Sequence, residues 1–204
     1  MQKLLIATKN KGKLKELKEY LSDLPLELLS LEDVGITDDV AEDGDTYEEN
    51  SKKKALFYAG LSNLPTLADD GGIEIEALGG APGVKSNRWL GPKGEDKELL
   101  ENMIKVSKNL PNENRRACFR AVISFVLPKK VITTVEGRID GIIAKKPLNT
   151  LLEGLPYRSF FFLPEVGKYY HTNELTEEEE KLYNHRYNAI QKLKPTIIET
   201  LNLK

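Results

Sequence analysis

Three observations predict a mixed α/β fold for this chain of 204 residues. A short apolar run at the start is followed by leucines at helical spacing. The middle carries β-branched and alternating runs separated by glycines. Near the end, a capping box opens a helix with an apolar stripe.

Leu4 to Ala7 reads as a short buried strand, and after the polar stretch Thr8 to Lys13 the residues Leu14, Leu17 and Leu21 recur at helical spacing. A second helix is expected from Asp45 or Thr46 through Ala55 and Phe57, with Gly60 as its stop. Thr66-Leu67-Ala68 then forms a strand that bends at Asp69-Asp70-Gly71-Gly72, and the alternation of Ile73, Ile75 and Ala77 with Glu74 and Glu76 predicts a half-exposed continuation. Residues 79–83 form a glycine-rich loop, and a helix from about Glu95 to Lys108 carries Leu99, Leu100, Met103 and Ile104. Ala117 to Leu127, Val131 to Val135, Ile139 to Ala144 and Phe160 to Leu163 read as strands. Thr176 with Glu179 opens a last helix that is expected to end near Pro195.

Composition narrows the function classes. With 40% hydrophobic and 30% charged residues the chain is of globular type, which excludes disordered and collagen-like classes. A formal net charge of -2 argues against holding nucleic acid by bulk phosphate neutralisation. One cysteine, Cys118, rules out an internal disulfide and a cysteine zinc site, and suits a reducing, cytoplasmic address. No apolar run approaches the ~20 residues of a membrane span.

Three segments carry candidate chemistry. The loop Thr8 to Lys13 leads a strand into a helix, whose first N–H groups attract phosphate. A P-loop is absent, because Gly12-Lys13 is followed by Leu14 where that motif needs Ser or Thr. Taken alone, the loop is better read as a helix start capped by Thr8 or Asn10 with solvated lysines. The second segment pairs Glu48 and Glu49 with Asp69 and Asp70, and three or four converging carboxylates would suit Mg²⁺ held together with substrate phosphates. Glu49 lies three residues after Thr46 and so also fits a capping box; Gly71-Gly72 lets backbone approach a ligand closely. The third is Asn184-His185-Arg186, where Arg186 falls inside the stripe of Leu182, Ala189, Ile190 and Leu193. A cation there needs a carboxylate or a ligand oxygen as partner.

In order, these segments resemble the inosine triphosphate pyrophosphatase family, which hydrolyses non-standard purine nucleoside triphosphates to monophosphate and pyrophosphate. The family's [ST]-x-N-x-x-K is met by Thr8, Asn10 and Lys13, and its glutamate-asparagine helix by Glu49-Asn50 with Lys54 beyond. Its Ala-Asp-Asp-Ser-Gly turn is met by Ala68 to Gly72 with Gly71 in place of Ser, and its next signature by Leu78 to Gly83 with Ser86 and Arg88. Its Ser-His-Arg is matched by Asn184-His185-Arg186. The base segment departs from the family: Phe-Gly-Tyr-Asp-Pro is Leu155-Pro156-Tyr157-Arg158-Ser159 here, so a donor stands where the family has an acceptor. The Gly-Lys-Thr segment is lengthened to Gly167-Lys168-Tyr169-Tyr170-His171-Thr172, with Lys168 as the matching lysine.

The resemblance implies a single pyrophosphatase domain over 1–204, with an elongated mixed sheet flanked by helices and two lobes enclosing the active cleft, usually as a homodimer. It implies that Glu49 and Asp70 hold Mg²⁺ and that Asp70, with Asp69 nearby, prepares the attacking water. Lys13, Lys54, Thr8, Asn10 and Gly71 would surround the phosphates. Tyr157, with Leu155, would pack on the base, His185, Arg186 and Lys168 would offer it donors suited to a 6-oxo group, and Arg158 would donate to oxo groups or to phosphate, so ITP, dITP and XTP are the expected substrates. Two other readings keep the phosphate site: a Maf-like pyrophosphatase acting on modified pyrimidine triphosphates, and a nucleotide-binding protein without turnover.

Overall fold

A computed structural model describes residues 1–89, 96–148, 150 and 152–203. Its mixed sheet has seven strands in the order β2-β1-β3-β4-β5-β6-β7. In chain order they are β1 Gln2–Ile6, β2 Leu26–Ser30, β3 Thr66–Ile75, β4 Arg116–Leu127, β5 Lys130–Ile143, β6 Phe161–Leu163 and β7 Lys168–Tyr169. The helices are α1 Lys11–Tyr20, α2 Tyr47–Ser62, α3 Asp96–Asn109, α4 Glu177–Leu182 and α5 His185–Thr200. β1 pairs in parallel with both β2 and β3, whereas β6 pairs antiparallel with β5 and β7.

The chain forms two compact units. One consists of Met1–Asp70, Ala121–Gly137 and Arg186–Lys204, the other of Gly71–Arg120 and Arg138–His185. In the first, Leu4, Ile6, Leu17, Leu67, Phe125, Ile190 and Leu193 build one core, and Leu5, Ala55, Ala59, Ala68 and Val126 build another. These strand residues point to opposite faces because side chains alternate along a strand. The second unit centres on Ile73, Ile75, Met103, Phe119, Phe160, Phe161 and Tyr170.

Most expected elements are present, and the differences have physical causes. β3 is one continuous strand through the acidic pair, and its residues are buried apart from a half-buried Glu74 that pairs with Arg120 at 3.1 Å. The two glycines are strand residues, and Gly72 answers to packing within the protein: a Cβ there would collide with Ser86 Oγ and come within 2.7 Å of Gly83 O. Ser86 Oγ also accepts from the Ile73 N–H at 3.0 Å. α2 passes Gly60 and ends at Asn63, which takes the left-handed conformation that terminates helices. The runs 131–135 and 139–143 belong to one long strand, β5, which ends before Ala144, and the start expected for α3 at Glu95 lies outside the described residues.

The final helix divides into α4 and α5, and α5 runs past Pro195. A mid-helix proline loses one hydrogen bond, but Ile197 and Leu201 beyond it are buried in the core, and that apolar contact holds the last turns in place. β2, with no strong alternation, was not among the expected strands; it forms because it lies parallel against β1.

Candidate functional site

In the first unit the acidic pair of β3 is ringed by cations drawn from three helices. α1 opens at Asn10, whose side chain accepts from the Lys13 N–H at 2.9 Å, while Thr8 Oγ1 accepts from the Asn10 N–H at 3.2 Å. Both conserve the helix start as a turn of N–H groups. Lys13, Glu16, Leu17 and Tyr20 form the buried stripe of α1, so a lysine and a glutamate face inward with the apolar residues. Lys13 Nζ reaches Asp69 Oδ2 at 2.9 Å. Arg186, from the stripe of α5, places Nε 3.0 Å from the same oxygen and Nη1 2.8 Å from Glu16 Oε2. Asp69 and Glu16 are thus the partners that a cation in that stripe requires.

α2 carries a buried stripe that includes Tyr47, Asn50, Ser51, Lys54, Ala55 and Tyr58. Lys54 Nζ donates to the Asp69 carbonyl at 2.7 Å and to Glu42 Oε1 at 2.9 Å, and lies 3.4 Å from Asp70 Oδ1. Glu16 and Glu42 were absent from the expected site. Glu16 is legible only as a charge on an apolar stripe, the signal that singled out Arg186, and Glu42 lies in a segment without periodic pattern.

These contacts set two adjacent carboxylates apart. Burial works to raise the Asp69 pKa, but Arg186 and Lys13 outweigh it and hold that carboxyl well below the usual carboxylate range. Asp70 has its pKa raised: burial is the main cause, Glu42 and Asp69 push the same way, and Lys54 and Lys13 only partly oppose them. Burial also acts to lower the pKa of Lys54, yet Asp70 and Glu42 overcome it and keep the ammonium charged. Two oxygens of this cluster, Asp69 Oδ1 and Asp70 Oδ2, are buried without a hydrogen-bond partner. Orphaned acceptors of this kind invite a ligand proton or a cation.

The expected convergence of three or four carboxylates is not found: among the described residues, no group of three or more His, Cys, Asp or Glu side chains is arranged to hold a metal. Glu49 is exposed and its Oε2 accepts from the N–H groups of Asp45 at 2.8 Å and Thr46 at 3.1 Å, completing the capping box with Thr46. Glu48 pairs with Lys52 one turn along α2. Asp70 and Asp69 remain as buried oxygen donors.

The second unit holds the rest. Tyr157 is buried in the core and donates from Oη to the Ser86 carbonyl at 2.6 Å. Arg158 is only 1% exposed; Nη1 reaches Glu180 Oε1 at 3.2 Å, Nη2 donates to Tyr170 Oη at 2.7 Å, and the guanidinium lies 4.1 Å from the Tyr170 ring centroid. The structure therefore sets Arg158 against protein groups. Tyr170 Oη is 3.1 Å from His185 Nδ1, and the His185 ring stacks on Phe119 at 5.1 Å and 20°. Lys168 donates to both carboxylate oxygens of Glu179, at 2.9 and 2.6 Å. Asn184 and His185 are buried.

Comparison with known proteins gives a consistent picture. The model of the Ham1 family matches residues 4–196. The chain is 39% identical over 203 residues to a dITP/XTP pyrophosphatase of Clostridium perfringens, covering 97% of this chain and 98% of that protein. It is 39% identical over 194 residues to the dITP/XTP pyrophosphatase of Geobacter sulfurreducens, covering 95% and 96%. A solved structure of a Ham1 protein from Coxiella burnetii superposes with a TM-score of 0.82 at 30% identity, covering 98% of this chain and all of that one.

Proposed function

This chain belongs to the Ham1 family, and on that premise we propose that it hydrolyses non-standard purine nucleoside triphosphates, namely ITP, dITP and XTP, to the monophosphate and pyrophosphate. The observation that carries the reading is the buried pair on β3: two adjacent carboxylates with opposed pKa shifts, each with one unpartnered oxygen, among Lys13, Lys54 and Arg186. Titratable neighbours whose surroundings push their pKa values apart are a pattern of acid-base catalysis. Phosphoryl chemistry in turn needs positioned cations more than covalent help.

Divalent metal fits the donor set. Asp70 Oδ2 and Asp69 Oδ1 are hard, buried and unpartnered, as Mg²⁺ requires. Asp70 would hold the ion, with Glu49 as second ligand once its carboxylate gives up the cap. When bound, the ion polarises a phosphoryl oxygen and neutralises charge that builds on the leaving pyrophosphate.

The remaining steps belong to the chain. Asp70 takes the proton of the attacking water at its carboxylate. Its raised pKa makes it a stronger base than an ordinary aspartate. Asp69 stays ionised and serves to fix Lys13 and Arg186, and the Asp69 carbonyl with Glu42 fixes Lys54. Lys13, Lys54 and the N–H groups that open α1 then meet the triphosphate with charge already in place, which lowers the reorganisation needed in the transition state. His185 is the donor toward the 6-oxo group of the base.

The same reading carries a homodimer, a cytoplasmic address and no nucleic-acid partner. The address is supported by the one buried Cys118, outside any disulfide, and the lack of a nucleic-acid partner by a net charge of -2. Among the described residues, no helix is long and apolar enough to cross a membrane.

The test is pyrophosphate release with Mg²⁺ from ITP, dITP, XTP, ATP, GTP, dTTP and a modified pyrimidine triphosphate, with Asp70→Asn as control. The expected result is preference for ITP, dITP or XTP, abolished in the variant with folding intact. Preference for a pyrimidine would reassign the substrate; release that persists in Asp70→Asn would remove the assigned base.

A further inference from the structure

We propose that Arg158 is a positioning residue: through Tyr170 it fixes the tautomer of His185, so that Nε2 carries the imidazole proton and His185 is a hydrogen-bond donor. This rests on the reading of His185 as the group that meets the base, and it adds the device that makes the ring a donor.

The argument follows from donor and acceptor inventories. Arginine only donates, so the 2.7 Å contact from Nη2 makes the Tyr170 hydroxyl oxygen an acceptor. A tyrosine hydroxyl has one proton of its own, and His185 Nδ1 lies 3.1 Å away. If Nδ1 accepts that proton, the contacts to Arg158 and to His185 are both hydrogen bonds of proper polarity. If Nδ1 instead carried a proton, the oxygen would face two donors, and its own proton would turn away from the ring it lies against. The first arrangement leaves the proton of neutral imidazole on Nε2.

Electrostatics favours the same state. The guanidinium lies 4.1 Å from the Tyr170 ring centroid and bonds to its oxygen, which polarises the hydroxyl as a donor. Arg158 is held from behind by Glu180 at 3.2 Å, and the His185 plane is held by Phe119, stacked at 5.1 Å. The relay runs Glu180, Arg158, Tyr170, His185, with each member buried or partly buried.

The consequence for selection is direct. An Nε2–H donor matches the 6-oxo group of hypoxanthine and xanthine and opposes the 6-amino group of adenine, because two donors cannot bond. Guanine, which also has a 6-oxo group, is not distinguished by this contact.

Long-range ¹H–¹⁵N NMR of the uniformly labelled protein reads the tautomer, and with only two histidines in the chain, His171 and His185, assignment needs one substituted sample, His185→Gln. The expected wild-type spectrum shows His185 with an unprotonated Nδ1 and a protonated Nε2. Tyr170→Phe should convert it to a mixture of tautomers and lower the ITP-to-ATP ratio of kcat/KM about tenfold. Arg158→Lys, which keeps a donor for Tyr170, should restore most of the wild-type signature relative to Arg158→Met. Protonation of His185 at Nδ1 in the wild type overturns the relay whatever the protein hydrolyses. So does a Tyr170→Phe variant with unchanged tautomer and unchanged ratio. An Nε2–H signature without ITP hydrolysis overturns the substrate reading instead, and with it the selective role of the relay.

Discussion

Asp69 and Asp70 are chain neighbours with opposite effects on stability. Asp69 is buried against Lys13 and Arg186, so its folded pKa is depressed. Its contribution is present above the unfolded carboxylate pKa of about 4 and is lost as pH falls through the folded value. Asp69→Asn leaves two buried cations short of a partner and should cost about 3–5 kcal/mol. Asp70 has a raised folded pKa, so the stability associated with it is present below the unfolded value and lost as pH rises through the folded one. At neutral pH its buried charge is a cost. Asp70→Asn should therefore raise Tm without metal, by about 2–4 °C for each kcal/mol relieved, with the gain shrinking toward acid pH. Thermal unfolding of both variants in EDTA from pH 4 to 8 checks this, and a lower Tm for Asp70→Asn at pH 7 would contradict it. At this scale the sequence was informative for Lys13, Lys54, Asp69, Asp70 and Arg186. It marked Glu16 only as a charge on an apolar stripe and did not tie it to Arg186, 170 positions away. No local pattern encodes such a pair.

Among the elements, α2 has one residue asked to do two jobs. Glu49 closes the capping box that starts the helix, and it is also the proposed second metal ligand. Glutamine can still accept from the N–H groups of Asp45 and Thr46, so Glu49→Gln should keep stability within about 0.5 kcal/mol of wild type while raising the Mg²⁺ concentration needed for half-maximal activity. Thr46→Ala should do the reverse, losing about 1 kcal/mol of stability with a smaller effect on the metal requirement. A Mg²⁺ titration beside thermal melts separates the two jobs, and an unmoved titration for Glu49→Gln would leave Glu49 as a cap alone. Strongly patterned elements were readable: both capping boxes, the stripes of α1 and α5, and the β-branched runs of β4 and β5. Boundaries were not. α5 continues past Pro195 because Ile197 and Leu201 are buried, and β3 runs as a strand through Asp69 to Gly72 because its neighbours bury it. In both places tertiary contact overrode a local stop signal.

Across the whole molecule, the chain passes between its two units four times, after Asp70, Arg120, Gly137 and His185. The first three passages lie inside β3, β4 and β5, and the fourth lies at the start of α5. Covalent continuity through three strands predicts one cooperative unfolding transition. Leu193→Ala in the first unit should cost about 2–5 kcal/mol and should shift the urea midpoint read by Trp89, which lies in the second unit, as far as the midpoint read by circular dichroism. A Trp89 midpoint that stays at the wild-type value would show that the units unfold separately. Mixed α/β class was legible from periodicity, but this division was not, because it depends on which distant segments meet.

The interleaving also bears on how the chain is made. A ribosome releases residues 1–70 first, yet that segment cannot bury Leu4, Leu17 or Leu67 fully until Ile123, Phe125 and then Ile190, Leu193 and Ile197 have emerged. The second unit has all its residues once His185 is out. Synthesis thus finishes its earliest segment last, with an apolar parallel β1-β2 pair and the buried charges of Lys13 and Asp69 waiting for Arg186. During translation, the need for a chaperone to shield this protein should be greatest at its amino-terminal end and should fall only as α5 leaves the exit tunnel.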